Sequence, residues 1–382
     1  MQSSSTPLAL LRTVSVLWFA AVVPLSALLL IVAVTFQGRL FAVGAISLGM
    51  VPLLAWMNPD IKWLRRAALA LLLVWMGVAI WLVRVSPSGK PPTGARVENR
   101  YVGGKWNYQT QALGALLPEV DQFMLGFRLM PFLDPLFTQR QAGPLIKDTR
   151  EIYQELEADS DSYALGSVMP DAYNEIWGLP FDRGHYFLYV PRSLDRTKPA
   201  PALVFLHGSG GSFKSYTWLL SKIADEQGVV IIAPSCGLGN WKAPRAPQMV
   251  VEALDDAAKV VALDMGRIHL AGLSNGGLGV TRTLVSPYAN RFRSVILFSP
   301  VCDDKAVNSA PFAESCRGKP VLVISGEEDD RVPITYVRQC MDVMRRAGVE
   351  VQLSAYPQAN HFLMFSHREQ WREEISAWLK GK

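Results

Sequence analysis

Residues 268–277 read Ile-His-Leu-Ala-Gly-Leu-Ser-Asn-Gly-Gly, a short apolar run followed by a glycine-rich turn. The composition of Ile268–Gly272 predicts a β-strand, and the residues from Gly277 onward predict a helix. Ser274 stands on the connecting turn in the pattern Gly-x-Ser-x-Gly. Such a turn projects the hydroxyl from the sheet toward a helix N-terminus, which favours developing negative charge. We therefore predict that Ser274 is a nucleophile. The alternative is a glycine-rich turn whose serine has no catalytic role.

Short apolar runs alternate with longer amphipathic runs throughout residues 185–382. The predicted strands are His185–Val190, Ala202–Leu206, Val229–Ala233, Ile268–Gly272, Ser294–Phe298, Val321–Ser325 and Val351–Tyr356. The predicted helices are Tyr216–Glu226, Met249–Met265, Gly277–Val285, Ile334–Ala347 and Glu369–Leu379. This alternation is typical of an α/β fold with a mostly parallel sheet covered on both faces. In such a sheet we expect the functional loops at the carboxyl ends of the strands.

A second glycine-rich loop, His207–Ser212 (HGSGGS), directly follows the predicted strand Ala202–Leu206. Backbone N–H groups in such a loop can donate hydrogen bonds to a tetrahedral oxyanion. We expect the oxyanion hole to consist of the amides of Asn275 and Ser209, with Gly210 as the alternative to Ser209. His207 is interpreted as a residue that holds the loop in shape by hydrogen bonding.

Two later loops supply an acid and a base in the order serine, aspartate, histidine. His361 follows the strand Val351–Tyr356 and is predicted to be the general base. Asp329 follows the strand Val321–Ser325 and is predicted to orient the histidine, with Asp330 and Asp303 as alternatives. No pair of histidines has the spacing of metal ligands, so we expect no metal site.

The first 85 residues contain three uncharged apolar stretches, which predict transmembrane helices at about residues 13–36, 40–57 and 67–83. A cleaved signal peptide is the alternative for the first stretch, but its apolar run is too long. The expected partner is therefore a lipid bilayer and the expected location an integral, multi-pass membrane protein. The positive charges of the loop after the second stretch place that loop in the cytoplasm and the C-terminal domain outside, although basic residues after the third stretch oppose this orientation.

Between the membrane region and the α/β domain, residues 86–105 are rich in proline and glycine and predict a linker. Residues 106–184 are predicted to be a connecting, cap-like segment. Its apolar stretch Phe123–Phe137 is interrupted by two prolines, so it is not expected to cross the bilayer. We expect this stretch to pack over the α/β core, with a position in the membrane interface as the alternative.

The net charge is +5, but the basic residues form no run, so no nucleic-acid partner is expected. The four cysteines are Cys236, Cys302, Cys316 and Cys340, and they lack zinc-site spacing. Cys302 and Cys316 flank one loop and would pair in an oxidising compartment. The alternative is four free, mostly buried thiols.

The motifs together resemble those of the α/β-hydrolase superfamily over about residues 185–382. The turn GLSNGG at 272–277 resembles that of polyhydroxybutyrate depolymerases and feruloyl esterases. The spacing G-x-x-D-x-x-V-P at 326–333 is similar to the acid turn of dienelactone hydrolases and prolyl-oligopeptidase-type peptidases, and it selects Asp329. The Asn-His-Phe sequence around His361 resembles their histidine loop. The resemblance implies hydrolysis of an ester, thioester or peptide without a cofactor.

The leading hypothesis is a membrane-anchored serine hydrolase that cleaves small-molecule or lipid-like carboxylic esters through an acyl-enzyme. A serine peptidase and an acyltransferase are alternatives, because the same acyl-enzyme chemistry serves all three. A non-catalytic binding module on the same fold is a further alternative. The presence of a serine, an acid and a histidine in the expected loops favours catalysis.

Overall fold

The computed structural model describes residues 5–58, 60–104, 114–179, 184–195 and 197–381. Residue 105 of the predicted linker lies outside this part of the chain, as do residues 106–113 and 180–183 of the predicted connecting segment.

Contacts between residues divide the chain into two units. Unit 1 comprises Met1–Pro87 and Ala112–Ala142, and unit 2 comprises Ser88–Gln111 and Gly143–Lys382. The chain therefore enters unit 2 after the third apolar helix, returns to unit 1, and enters unit 2 again. The predicted connecting segment is accordingly shared between the two units.

Unit 1 contains three apolar helices, α1 (Ser5–Val32), α2 (Phe36–Trp56) and α3 (Lys62–Val85). Among the described residues, these are the helices that are long and apolar enough to cross a membrane. They confirm the three predicted apolar helices, with starts four or more residues earlier than expected. The helices α1 and α2 are joined by a short turn in which the Thr35 hydroxyl accepts a hydrogen bond from the Gly38 N–H group at 2.8 Å.

A fourth helix of unit 1, α4 (Glu119–Leu133), contains most of the apolar stretch Phe123–Phe137. The buried Asp121 carboxylate ties its first turn to the α1–α2 turn, because its Oδ1 accepts a hydrogen bond from the Val34 N–H group at 2.6 Å. The stretch therefore belongs to unit 1 together with the apolar helices, and its packing over the α/β core stays a prediction. Nothing in the sequence around Asp121 indicates that its carboxylate binds the Val34 N–H group, because the two residues are 87 positions apart.

Unit 2 contains the α/β domain. Its strands are β1 (Val97–Tyr101), β2 (His185–Tyr189), β3 (Ala200–Leu206), β4 (Val230–Pro234), β5 (Leu263–Leu273), β6 (Ser294–Phe298), β7 (Pro320–Gly326) and β8 (Glu350–Tyr356). The helices that follow α4 are α5 (Gln139–Ala158), α6 (Ser160–Tyr163), α7 (Met169–Ile176), α8 (Lys214–Gln227), α9 (Ala246–Ala257), α10 (Gly276–Thr283), α11 (Asp304–Val307), α12 (Ala310–Cys316), α13 (Ile334–Arg346), α14 (Leu363–Ser366) and α15 (Arg368–Lys380).

The described strands form one sheet in the order β1-β2-β4-β3-β5-β6-β7-β8. The strands from β4 to β8 pair in parallel, whereas β2 pairs antiparallel with both β1 and β4. The central strands are buried, which explains their continuous apolar sequences. The arrangement confirms the predicted α/β-hydrolase fold. It also brings the carboxyl ends of β3, β5, β7 and β8 to one edge of the sheet.

Strand β1 lies inside the predicted linker, so the boundaries of that linker are corrected. Its residues VENRY alternate between buried and half-buried positions, and Val97 pairs with Tyr189 of β2. The strand is short, contains two charged residues and pairs with a partner almost 90 residues away in the chain. Its sequence therefore gave no strong strand signal, because its stability comes from tertiary pairing.

The predicted helix Met249–Met265 is also corrected. Helix α9 ends at Ala257, and residues from Leu263 onward belong to β5. Leu263 pairs with Ala200, but a shift in register separates this pair from the regular pairing that begins at Ile268. The early part of β5 therefore lacks the apolar pattern that marks its later part.

The predicted pair Cys302–Cys316 is wrong, as is the alternative of four free thiols. Cys302 is bonded to Cys340 of α13, and Cys316 is a buried free thiol. The Tyr336 hydroxyl explains the observed pairing, because it bonds both the N–H and the carbonyl group of Cys302, at 3.0 and 3.2 Å. Cys340 follows one helical turn after Tyr336, on the same face of α13.

We predict that Cys340→Ser destabilises the protein by about 2–4 kcal/mol, because the cross-link closes a long loop in the unfolded chain. The measurement is the Tm of the detergent-solubilised protein with and without dithiothreitol. Reductant should lower the Tm of the wild type and leave that of Cys340→Ser unchanged. Cys316→Ser serves as the control, since it removes a buried thiol but no cross-link. Four titratable thiols in unfolded, unreduced wild type would contradict the assignment.

Candidate active site

Ser274 occupies a strained turn between β5 and α10. Its φ angle is +51°, a left-handed conformation that costs a serine free energy. The turn is held by three backbone hydrogen bonds: the Ser274 N–H group donates to Phe298, and its carbonyl accepts from Gly277 and Val301, all at 2.8–2.9 Å. The surroundings therefore impose the conformation of the serine.

The glycines of the turn are required by close backbone packing. A Cβ atom at Gly272 would lie 2.7 Å from the carbonyl oxygen of Gly276. A Cβ atom at Gly276 would clash with the carbonyl oxygen of Leu206 at the end of β3. Residues two before and two after Ser274 are thus restricted to glycine for a steric reason.

The structure brings the three predicted triad residues together. The Nε2 atom of His361 lies 3.1 Å from the Oγ atom of Ser274, and its Nδ1 atom lies 2.8 Å from the Oδ2 atom of Asp329. Because the carboxylate can only accept, Nδ1 donates and Nε2 is left to accept the serine proton. This is the tautomer that a general base requires.

Asp329 is held in place on both carboxylate oxygens. While Oδ2 accepts from His361, Oδ1 accepts from the backbone N–H groups of Arg331 and Val332, at 2.9 and 2.8 Å. Burial opposes the charged form, but the hydrogen bonds from His361 and Val332 outweigh it, so the pKa of Asp329 lies below its ordinary value. The side chain therefore stays ionised beside the imidazole and stabilises the imidazolium that forms during proton transfer.

The alternative acids do not reach the histidine. Asp330 is exposed, whereas its neighbour Asp329 is buried. Asp303 instead caps α11, where it accepts hydrogen bonds from the N–H groups of Lys305 and Ala306, and it lies 3.5 Å from Arg282. The geometry therefore selects Asp329.

The two predicted oxyanion donors, Ser209 and Asn275, lie side by side. The side-chain amide of Asn275 donates to the Ser209 hydroxyl at 2.7 Å, which joins the loop after β3 to the nucleophile turn. The backbone N–H groups of Ser209 and Asn275 donate to no other described residue. The N–H group of Gly210, by contrast, donates to the Leu238 carbonyl at 3.0 Å, so it is not free to bind an oxyanion.

His207 holds the loop in shape, as its position predicted. Its Nδ1 atom donates to the Gly208 carbonyl at 2.8 Å, and its Nε2 atom accepts from the Cys236 N–H group at 2.9 Å. Burial lowers its pKa to about 4, so the ring is neutral. Neither His185 nor His269 lies at the site. Both are buried in strands, and their pKa values are lowered to about 3 and about 4, in each case mainly by burial.

No cluster of three or more metal-ligating side chains occurs among the described residues. The arrangement of Ser274, His361 and Asp329 can perform nucleophilic catalysis without such a group: a hydroxyl is activated by a base, and amide donors lie beside it.

Sequence reasoning missed the helix α7 beside this site. Its residues Met169 and Ala172 lie near the loop after β3, because a Cβ atom built on Gly211 would lie 3.4 Å from the Ala172 Cβ atom. Glu175 of the same helix accepts a hydrogen bond from the Leu238 N–H group at 2.6 Å. A proline at the helix start, Pro170, was the available signal for the element, but nothing in the sequence indicated its partner.

Parts of the chain are similar in sequence to known proteins. The sequence profile of the prolyl oligopeptidase family matches residues 304–382. The chain is 24% identical over 249 residues to dipeptidyl-peptidase 5 of Porphyromonas gingivalis, covering 52% of this chain and 36% of that protein. It is 28% identical over 149 residues to a bifunctional acetylxylan esterase/xylanase of Neocallimastix patriciarum, covering 37% of this chain and 21% of that protein.

Among solved structures, an esterase of Pyrobaculum calidifontis is similar with a TM-score of 0.42 and 18% identity, covering 52% of this chain and 80% of that one. The chain spans about a third of the length of the dipeptidyl-peptidase relatives that it matches. The sheet order and the nucleophile turn define the chain as an α/β-hydrolase. Within that class, its last 79 residues are similar to the prolyl oligopeptidase family.

We predict that Asp329→Asn lowers kcat by about 10³–10⁴-fold, because an amide in that position would favour the wrong histidine tautomer. Asp330→Asn is the matched control, since it makes the same chemical change one residue away at an exposed position. It should retain a kcat within about twofold of wild type. Steady-state hydrolysis of a p-nitrophenyl ester measures both. A larger loss in Asp330→Asn than in Asp329→Asn would contradict the assignment of the acid.

Proposed function

We propose that this chain is a membrane-anchored serine hydrolase that cleaves carboxylic esters through an acyl-enzyme intermediate. The observation that supports it best is the continuous hydrogen-bonded series from Asp329 through His361 to Ser274, beside the free amides of Ser209 and Asn275. A nucleophile, a base, an acid and two oxyanion donors are thereby gathered at one edge of the sheet.

The proposed reaction has two halves. As Ser274 Oγ attacks the ester carbonyl carbon, its proton passes to His361 Nε2, and the carbonyl oxygen becomes an oxyanion bound by the two amides. The tetrahedral intermediate expels the alcohol, which takes the proton from His361, and leaves an acyl-enzyme. Water then attacks the acyl carbon while His361 takes its proton. Collapse of the second intermediate releases the acid and returns the proton to Ser274.

Peptide hydrolysis is the second candidate, since the chain is similar to dipeptidyl-peptidases over half its length. Ester cleavage makes the smaller chemical demand on this site, because an alkoxide leaves more readily than an amide nitrogen. The similarity to an acetylxylan esterase supports ester hydrolysis. The hydrophobic N-terminal region supports it as well, because such a region suits a lipophilic or lipid-like substrate.

We predict that the detergent-solubilised protein hydrolyses p-nitrophenyl esters and shows no turnover of dipeptidyl p-nitroanilides above that of Ser274→Ala. Ser274→Ala should lose kcat by a factor on the order of 10⁶, to the limit of the assay. Anilide turnover that is lost in Ser274→Ala would replace the esterase proposal with the peptidase proposal. Turnover that is unaffected by Ser274→Ala would show that Ser274 is not the nucleophile of the reaction.

We further propose that the three apolar helices cross the membrane and that unit 2 lies on its extracytoplasmic side. Because α3 alone lies between them, a crossing by α3 places the α2–α3 loop and the start of unit 2 on opposite sides. The loop is followed by Lys62, Arg65 and Arg66, which favour the cytoplasm. The Cys302–Cys340 disulfide gives independent support, because such bonds persist in oxidising compartments.

The topology is tested with single cysteines at two exposed positions, Asn58→Cys in the α2–α3 loop and Ser88→Cys at the start of unit 2. In intact cells, a membrane-impermeant maleimide should label Ser88→Cys and should label Asn58→Cys only after permeabilisation. The wild type is the control, since its two cysteines outside the disulfide are buried. The reverse pattern would overturn the orientation, and labelling of both from one side would overturn the three spans.

A further inference from the structure

We propose that Glu175 of α7 is a positioning residue for the oxyanion hole and acts through Leu238. The inference rests on the proposed function, because it assigns a role within that hydrolysis. Glu175 belongs to a part of the chain that precedes the strands of the catalytic motifs, and it does not touch the nucleophile, the base or the acid.

Two hydrogen bonds connect Glu175 to the loop His207–Ser212, which we call the oxyanion loop. The Leu238 N–H group donates to Glu175 Oε2 at 2.6 Å, and the Leu238 carbonyl accepts from the Gly210 N–H group at 3.0 Å. Both backbone groups of Leu238 are therefore used, one toward α7 and the other toward the oxyanion loop. A shift of Leu238 would be transmitted directly to Gly210.

The oxyanion loop depends on such support because of its own sequence. Gly210 and Gly211 have φ angles of +102° and +130°, which glycine adopts freely and other residues do not. Glycines offer no side chain to fix the loop by packing, and they lose more conformational entropy on folding than other residues do. The loop is instead held by neighbouring backbone: a Cβ atom at Gly239 would lie 2.7 Å from the Gly208 carbonyl oxygen.

Helix α7 lies beside the oxyanion loop at a second point. A Cβ atom built on Gly211 would lie 3.4 Å from the Ala172 Cβ atom and 3.5 Å from the Met169 Sδ atom. A side chain at Gly211 would therefore pack directly against the helix, and the helix is joined to Gly210 through Glu175 and Leu238.

This arrangement decides which amide is available. The Gly210 N–H group is occupied by Leu238, whereas the N–H groups of the preceding residue, Ser209, and of Asn275 donate to no other described residue. Donors of an oxyanion hole act mainly in the transition state, where the negative charge develops. Loss of the Glu175 contact should therefore lower kcat and leave KM nearly unchanged.

The test compares Glu175→Ala with Glu175→Gln in the full-length, detergent-solubilised protein. Removing an oxyanion donor outright costs about 10²–10³-fold in kcat, and misplacing one should cost about 10-fold. We expect that loss in Glu175→Ala, with KM within about twofold of wild type. Glu175→Gln keeps a carbonyl acceptor at the same reach and should recover most of the rate.

Two further variants separate positioning from a general loss of stability. Asp264→Ala is the matched control, because Asp264 also accepts from a backbone N–H group, that of Gly266 at 3.0 Å, but near the amino end of β5. Glu175→Asp keeps the charge but is shorter by one C–C bond, about 1.5 Å, so it should lower kcat even if Glu175→Ala folds poorly. The pH dependence of kcat should be unchanged in all variants, since His361 and Asp329 are untouched.

The proposal is overturned if Glu175→Ala and Glu175→Asp retain wild-type kcat, if KM alone changes, or if Asp264→Ala loses as much activity. A wild type that hydrolyses no ester, anilide or other acyl substrate would instead overturn the proposed function. The two failures are therefore distinguishable, because the first requires an active wild type.

Discussion

The left-handed backbone at Ser274 is the constraint on which the rest of the site depends. It is imposed by the close approach of Gly272 and Gly276 and by the end of β3 at Leu206, so the turn exists only because two parallel strands and a helix meet there. The conformation costs free energy that the surrounding sheet must offset. It presents the serine hydroxyl to His361 at hydrogen-bonding distance, 3.1 Å from the Nε2 atom.

Much of the fold was predictable because the sheet is parallel and buried. Its strands are continuous apolar runs, and Ser294–Phe298 was predicted to the residue. Strand β1 was missed because an edge strand with charged residues is defined by its partner and not by its own pattern. The disulfide was misassigned for a related reason: Cys316 is nearer to Cys302 in sequence, but α13 brings Cys340 to it in space.

The residues of the site also fall into a group that the sequence predicted and a group that it did not. Ser274, Asp329 and His361 were predictable because each follows a recognisable strand, and parallel strands deliver their carboxyl ends to one edge. The role of α7 was not, because the hydrogen bond from Leu238 to Glu175 joins residues 63 apart and depends on how the chain returns to the sheet. Local patterns thus locate the reacting groups, whereas the residues that set their alignment emerge only from tertiary contacts.

The most direct test of the account is a crystal structure of the protein after reaction with a fluorophosphonate, whose phosphonyl oxygen mimics the oxyanion. We expect a covalent bond to Ser274 Oγ, with the phosphonyl oxygen about 2.7–3.1 Å from the backbone nitrogens of Ser209 and Asn275. Gly210 should still donate to Leu238 in that adduct. A phosphonyl group on another residue, or an oxygen bound by Gly210 with Ser209 turned away, would contradict it.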